Sequence, residues 1–150
     1  MSVDMLILIP AEPTYRPGSV LAEQAKALFK TFVPQAKEIT IQETEEIQFI
    51  ATGENLERII CPFCKSLLDE QWWIAAMDTA YETTKFANLT VTLPCCGRAV
   101  SLNDLCYDWP TGFACFQLIA RDPGNDIEKE ALKALEEKLA CPLRKIWAHL

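Results

Sequence analysis

Two pairs of cysteines have the spacing of a metal site. Cys61 and Cys64 form a C-x2-C motif, and the adjacent Cys95 and Cys96 follow after 30 intervening residues. Two thiols on a tight turn supply half of a tetrahedral zinc site, and a second turn must supply the rest. The spacing therefore predicts one metal ion, most simply zinc, with these four cysteines as its ligands.

The fourth ligand is the open point of this prediction. Adjacent residues of a strand point to opposite faces, so Cys95 and Cys96 both bind one metal only if the chain leaves extended geometry there. Pro94 and Gly97 permit such a turn. If Cys95 points away, the alternative ligand is His149, the only histidine in the chain. Four thiolates leave no position for water or substrate, so we expect a structural metal whose removal costs stability.

The two cysteine segments also resemble a known motif. Cys61-Pro62-Phe63-Cys64 is similar to the C-P-x-C-G knuckle of zinc ribbons, with Lys65 where glycine is usual. Leu93-Pro94-Cys95-Cys96-Gly97 resembles the same knuckle with Leu93 in place of its first cysteine. On that register Cys96 is the matching ligand, and Cys95 replaces the thiol that is lost at Leu93.

Residues 58–121 further resemble a set of uncharacterised bacterial proteins. The resemblance rests on Trp72-Trp73, Ala76-Met77-Asp78, Pro94-Cys95-Cys96-Gly97, Ser101-Leu102-Asn103-Asp104 and Tyr107-Asp108-Trp109-Pro110. It implies a shared metal-centred fold and no particular reaction.

A redox function is the alternative for the first pair. Cys-Pro-Phe-Cys resembles the active turn of glutaredoxin-like proteins, in which a helix N-terminus lowers the pKa of the first thiol. Cys61 would then be the nucleophile and Cys64 the resolving thiol of a thiol–disulfide oxidoreductase. The proline at 94 follows a predicted strand, whereas in that family it precedes one.

The remaining polar candidates are weaker. Asp104 and Asp108 follow the cysteines, and paired carboxylates perform acid–base chemistry when their pKa values are split. A small-molecule enzyme built on them would need a deep pocket beside their loop. Isolated cysteines are usually small buried hydrophobes, so we expect Cys106, Cys115 and Cys141 in the core. We also expect most of the four tryptophans to be at least partly covered.

Charge limits the partners of this chain. Its 150 residues carry 14 Lys and Arg against 21 Asp and Glu, a formal net charge of −7. This excess argues against phosphate neutralisation and hence against a nucleic-acid-binding protein. The acidic excess lies in residues 1–125, whereas residues 126–150 are balanced. A basic protein partner fits this field, and the predicted function is a non-enzymatic binding module, such as an adaptor or immunity-like protein.

The opening of the chain predicts no membrane span and no secretory signal. Its most apolar run, Val3 to Ile9, contains Asp4 and ends at Pro10. We therefore expect a cytoplasmic protein, and in that reducing compartment cysteines are first interpreted as metal ligands or buried thiols.

Hydrophobic periodicity predicts the elements that must position these residues. Strands are predicted at 5–9, 58–60, 89–93, 113–121 and 143–148. Ser19 and Asp69 are predicted to cap two helices, and Gly124 and Asn125 are predicted to open a third, with a capping box of Asn125 and Glu128. The runs 39–42 and 47–51 flank the polar Glu43 to Glu46 and predict a hairpin.

This order predicts an α+β fold in a single domain, 1–150. Residues 1–95 are assigned to a ferredoxin-like strand-helix-strand-strand-helix-strand unit, with the knuckle at 61–64 and 95–96. Residues 96–150 then append a loop and a strand-helix-strand.

Overall fold

The apolar runs at the two ends of the chain meet in one sheet. The computed structural model describes residues 3–50 and 58–149. Its elements are β1 (Asp4–Pro10), α1 (Ser19–Phe32), β2 (Glu38–Ile50), β3 (Ile59–Ile60), α2 (Glu70–Thr84), β4 (Thr90–Thr92), β5 (Ala99–Ser101), a 3-10 turn (Leu102–Asp104), β6 (Cys106–Tyr107), β7 (Gly112–Arg121), α3 (Lys129–Leu139) and β8 (Leu143–His149). The predicted α+β class is confirmed.

The main sheet is antiparallel, in the order β2-β7-β1-β8. Two strand-helix-strand units interlock in it: β7 lies between β1 and β2, and β1 lies between β7 and β8. This is the ferredoxin-like arrangement of two split units. The two central strands, β1 and β7, contribute buried residues to clusters on both faces of the sheet, which explains why their sequences are nearly continuous apolar runs.

The ferredoxin-like unit is therefore composed differently from the prediction. Its strands come from both ends of the chain: β1 and β2 precede the two cysteine pairs, and β7 and β8 follow them. The prediction had assigned the unit to 1–95 and appended 96–150. Strand order along the chain does not reveal which strands pair, because pairing joins residues far apart in sequence.

The predicted hairpin at 39–51 is wrong. β2 is one edge strand of 13 residues that pairs with β7 on both sides of an irregularity between Glu43 and Gln48. A bulge accommodates extra residues without ending a strand, and polar side chains on an edge strand face water. Thr44 stabilises the irregularity by donating to the Glu46 carbonyl at 2.7 Å. Ala51 lies outside the described residues.

Helices α1 and α3 cover one face of the sheet. Ala22, Ala25 and Phe29 of α1 pack with Leu135 and Leu139 of α3 in a core that includes alternate residues of β1 and β7. Leu21, Leu28 and Phe32 of α1 are only partly buried. A stripe one residue away is the fully buried one, because the small alanines allow close approach to the sheet.

Two predicted helix caps are corrected. Gly18, rather than Ser19, is the N-cap of α1, and no side chain caps it. α3 begins at Lys129 with Glu128 as its N-cap. Asn125 does not form the predicted capping box, because the helix begins four residues after it. Its side-chain amide instead donates to the Phe32 carbonyl at 3.3 Å and so ties this segment to the end of α1.

The two cysteine pairs lie in a module inserted between β2 and β7, here called the inserted module (residues 58–110). It consists of α2 and two small sheets of two strands each, β3-β6 and β4-β5. Its core packs against the main sheet through Ile47, Phe113 and Cys115. The buried residues contributed by the module are Ile59, Cys61, Leu68, Met77, Ala80, Leu89, Leu93, Leu102 and Leu105.

Asn103 fastens the inserted module to the main sheet. Its side chain donates to the Ala11 carbonyl at 3.2 Å and accepts from the Phe113 N–H at 3.0 Å. Arg144 of β8 donates to the Asn103 carbonyl at 2.6 Å and pairs with Asp104 at 3.0 Å. Asn103 is 4% exposed, so water does not easily replace these hydrogen-bond partners.

None of the helices in the described ranges 3–50 and 58–149 combines the length and apolarity that a membrane span requires.

Replacing Asn103 by alanine tests this fastening. Asn103→Ala leaves the Phe113 N–H and the Ala11 carbonyl without their partner, and each such buried group costs about 1–3 kcal/mol. We expect the free energy of unfolding, measured by urea denaturation, to fall by about 2–4 kcal/mol. The control is Asn125→Ala, whose hydrogen bonds are exposed and should cost under about 1 kcal/mol. Equal losses in the two variants would contradict the assigned role.

Candidate metal centre

The first cysteine pair lies on a turn closed by backbone hydrogen bonds. The Cys61 N–H donates to the Ser66 carbonyl at 2.9 Å, and the Lys65 N–H donates to the Cys61 carbonyl at 3.1 Å. Lys65 adopts the left-handed conformation, with φ of 64°. The closed turn directs the sulfurs of Cys61 and Cys64 to the same side.

The second pair lies on a turn with the same hydrogen bonds. The Leu93 N–H donates to the Arg98 carbonyl and the Gly97 N–H donates to the Leu93 carbonyl, both at 2.9 Å. Gly97 has φ of 73°, as Lys65 has in the first turn. The two knuckles are therefore equivalent position by position, and Leu93 stands at the position of Cys61, where its side chain is buried in the module core.

The four sulfurs converge as predicted. The Sγ atoms of Cys61, Cys64, Cys95 and Cys96 all lie within 4.8 Å of one another. Cys61 Sγ and Cys96 Sγ are 3.9 Å apart, and the edge of a zinc–thiolate tetrahedron with bonds near 2.3 Å is about 3.8 Å. The cluster thus has the size for a single metal ion. Cys95 reaches it from the third position of its knuckle, which compensates for the thiol absent at Leu93.

Backbone and hydroxyl donors favour the ionised form of the first pair. Burial opposes ionisation of Cys61, but the N–H groups of Cys64 and Phe63, each 3.4 Å from its sulfur, lower its pKa below the usual range. The Ser66 hydroxyl, 3.1 Å from Cys64 Sγ, together with the Ser66 N–H, lowers the pKa of Cys64 to about 6. These contacts therefore favour the thiolate form of both sulfurs.

The second pair shows the cost of crowding sulfurs together. Loss of hydration, followed by contacts with the sulfurs of Cys64 and Cys61, raises the pKa of Cys95 to about 12. Neighbouring thiolates repel a further negative charge, so the protons leave as a coupled set. A bound cation removes this repulsion, and metal binding therefore releases protons from the cluster.

His149 lies apart from the cluster. Its Nδ1 atom is 2.7 Å from the Asp4 carboxylate, across the β1-β8 pair. The ring stacks on Trp147 with centroids 6.3 Å apart and meets the edge of Trp109 at 5.9 Å. The sulfur of Cys95, rather than His149, completes the group of four.

The acidic pair does not share a site. Asp104 pairs with Arg144 at 3.0 Å, and Asp108 lies 4.0 Å from Arg58. A cavity of about 290 Å³ has Asp104 in its lining beside Asn103 and Ser101, but Asp108 is not among its described lining residues. The two carboxylates are thus matched to separate arginines, which gives no support to paired acid–base chemistry.

The three isolated cysteines differ in their environment. Cys115 is buried and Cys141 is half-buried, as core thiols would be. The expectation for Cys106 is wrong, because it is exposed on β6. On a strand of two residues, one side chain faces outward whatever its polarity.

Sequence reasoning missed two residues around the cluster. Ser66 contacts Cys64, and the guanidinium of Arg98 lies 5.0 Å from the centre of the exposed Phe63 ring. Both occupy the same position in their knuckles, two residues after the last cysteine. Recognising the two knuckles as equivalent turns would have drawn attention to this position.

No protein-family model, curated protein or solved structure matches the chain. The resemblance to uncharacterised bacterial proteins consequently stays a prediction from the residues.

A metal ion at this cluster would join the two small sheets of the inserted module. The first knuckle follows β3 and the second joins β4 to β5. Two-stranded sheets are marginally stable in water, so a cross-link between them adds stability that their few hydrogen bonds do not supply.

The ligand set can be tested by single substitutions. Each of Cys61→Ser, Cys64→Ser, Cys95→Ser and Cys96→Ser should lower the metal content of the purified protein, because each removes one of four converging sulfurs. Elemental analysis and the thiolate-to-metal absorption of the cobalt-substituted protein measure the loss. Cys106→Ser is the control, since that thiol is exposed but outside the cluster. Full metal binding by Cys95→Ser would remove Cys95 from the set.

The equivalence of the knuckles predicts opposite effects of two further substitutions. A residue other than glycine in the left-handed region costs about 1–2 kcal/mol. Lys65→Gly should therefore raise the free energy of unfolding by up to about 1 kcal/mol, and Gly97→Ala should lower it by about 1 kcal/mol. No atom lies within 4 Å of a Cβ built on Gly97, so a loss there reports backbone strain rather than a clash. Thermal and urea denaturation of the metal-loaded protein measure the change in unfolding free energy for both variants. Changes of the same sign would contradict the equivalence of the two knuckles.

Proposed function

We propose that this protein is a non-enzymatic, cytoplasmic protein-binding module, adaptor-like or immunity-like, whose inserted module is stabilised by structural zinc. The observation that carries the metal part is the convergence of four sulfurs within 4.8 Å from two equivalent turns. Thiolate donors in tetrahedral array suit zinc, and four of them leave no coordination position for a substrate.

The acidic partner surface is supported by the distribution of charge among elements. β2 contains four acidic residues and α2 contains three, and neither element contains a basic residue. α3 instead contains three of each sign. The second half of β2 lies against α2, where Phe49 contacts Trp73 with ring centroids 5.8 Å apart. Two neighbouring elements thus carry charge that favours a basic partner.

The cytoplasmic part of the proposal rests on the thiols. All seven cysteines are free, three of the four in the cluster are exposed, and Cys106 is exposed as well. Exposed free thiols are compatible with a reducing compartment.

A thiol–disulfide oxidoreductase built on Cys61 and Cys64 is the alternative, and the geometry favours it less. The proposed nucleophile, Cys61, is fully buried, whereas an attacking thiolate must reach its substrate. Cys64 is the exposed thiol of the pair, and its sulfur lies among three others. Helix α2 begins at Glu70, so its N-terminus is not formed by the cysteine turn as in redox-active motifs.

Elemental analysis separates the two functions. The purified protein should contain one zinc per chain, and chelation should lower its melting temperature, since metal binding contributes to folding free energy. Four thiols should become reactive as the zinc leaves. Iron in place of zinc, unchanged melting after chelation, or turnover of a disulfide substrate would contradict the structural-zinc proposal.

Partner binding requires its own test. Tagged protein expressed in the cells it comes from should retain a partner in constant proportion, and binding should weaken as salt rises. The double variant Glu45→Lys/Glu46→Lys, on β2, should weaken that complex by about tenfold through lost electrostatic attraction. Glu130→Lys/Glu137→Lys makes the same charge change on the balanced helix α3 and should have a smaller effect. Equal effects of the two variants would contradict an acidic docking surface.

A further inference from the structure

A groove runs between helix α2 and strand β4. Its volume is about 350 Å³, and all three residues of β4 line it. The opposite wall is one face of α2, where the lining side chains are small apart from Trp72 at one end. The α2 residues that line the groove are Trp72, Ala75, Ala76, Thr79, Ala80, Thr83 and Thr84.

The β4 wall offers backbone hydrogen-bonding groups. Among the described residues β4 pairs only with β5. The Leu102 N–H donates to the Leu89 carbonyl, and the Leu93 N–H donates to the Arg98 carbonyl. Leu89, Val91 and Leu93 are therefore the residues whose backbone groups face β5. Since alternate residues of an antiparallel strand bond to alternate sides, Thr90 and Thr92 direct their backbone groups to the outer edge. The Thr90 N–H is bonded to the Asn88 side chain at 3.0 Å. The Thr90 carbonyl and both groups of Thr92 are thus directed outward.

The dimensions of the two walls match. Three residues of strand span roughly 10 Å, and the helix from Ala75 to Thr83 spans about 12 Å. Small side chains on the helix wall leave room for a polypeptide backbone beside β4. An edge strand facing a helix across a groove is the arrangement in which extended peptides bind by adding a strand.

The charge beside the groove selects the occupant. Asp78 and Glu82 are one helical turn apart on α2, and they lie three and seven residues after the lining residue Ala75, on the same side of the helix. α2 has no basic residue, and the ammonium of Lys85, its C-cap, lies over the Tyr81 ring, 4.5 Å from the ring centroid. Basic side chains projecting from an extended peptide would lie near these carboxylates.

A second groove, between α1 and β2, lacks the open space of the α2-β4 groove. Its volume is about 410 Å³, but Lys26, Lys30 and Lys37 line it together with Glu23 and Glu38. Lys30 extends across it to the carbonyls of Pro34 and Ala36. Long side chains and mixed charge occupy the space that the α2-β4 groove leaves open.

The geometry points to the α2-β4 groove as the docking site for an extended, lysine- or arginine-rich segment of a partner protein, which adds a strand to β4. This inference rests on the proposed function and assigns its basic partner a binding mode and a surface.

Synthetic peptides test the docking site directly. The probe is a fluorescein-labelled eight-residue peptide of alternating lysine and valine, and its anisotropy is measured with the full-length, metal-loaded protein. A glutamate–valine peptide of the same length tests charge, and a lysine–valine peptide with N-methyl groups on alternate amides tests strand pairing. We expect each to bind about tenfold or more weakly than the probe, because one loses the ionic attraction and the other loses backbone hydrogen bonds.

Two matched variants of α2 locate the binding. Ala75→Arg places a long side chain in the groove, whereas Gln71→Arg adds the same charge to an exposed position of the same helix outside the lining. Ala75→Arg should weaken probe binding by about tenfold and Gln71→Arg by less than about threefold. Circular dichroism and metal content confirm that both variants are folded.

Equal weakening by the two variants, or equal binding of the probe and its N-methylated form, would overturn strand addition in this groove. Either result would leave the proposed function intact, since attraction between the acidic surface and a basic partner would remain. Failure of all three peptides to bind would also overturn the docking site, and the capture of a salt-sensitive partner would still decide the proposed function.

Discussion

Four sulfur atoms within 4.8 Å of one another are the constraint around which the inserted module is arranged. As thiolates they repel each other. Hydrogen bonds from Ser66 lower the pKa of Cys64, whereas loss of hydration, followed by contacts with the neighbouring sulfurs, raises the pKa of Cys95. The two backbone-closed turns hold the sulfurs together despite it. A bound cation would neutralise the thiolates and cross-link two sheets that are each too small to be stable alone. The packing of α2 beside β4, and hence the groove between them, depends on that module being held in one arrangement.

The inserted module in turn depends on the main sheet. Asn103 joins the two with hydrogen bonds to the backbone of both Ala11 and Phe113, and the aromatic ring of Phe113 enters the core of the module. The strands of the main sheet and helices α1 and α3 bury a continuous apolar core. The chain therefore combines a core stabilised by hydrophobic burial with an insertion that a metal cross-link would stabilise further. This division explains how a chain of 150 residues, large enough to fold without cross-links, still contains a metal-binding motif.

Local patterns predicted most elements of the fold because they depend on neighbours in sequence. The strands β1 and β8 and the helices α1 and α2 lie where apolar periodicity places them. The predicted hairpin failed because Glu43 to Glu46 have the polarity of a turn but lie on an edge strand, where polar side chains reach water. Asn125, predicted to cap α3, lies before the helix and bonds to the end of α1 instead. In both cases a contact distant in sequence prevailed over a local preference.

The sequence by itself determined the types and spacing of the candidate ligands, the acidic character of the chain and its α+β class, because composition and periodicity are properties of the chain alone. Only the tertiary structure decided that Cys95 rather than His149 joins the other sulfurs, since this depends on how the turn after β4 closes. It also decided that the ferredoxin-like sheet is assembled from both ends of the chain and that β4 faces α2 across a groove. Strand pairing and groove formation join segments tens of residues apart, and no local pattern records which partner each edge will have.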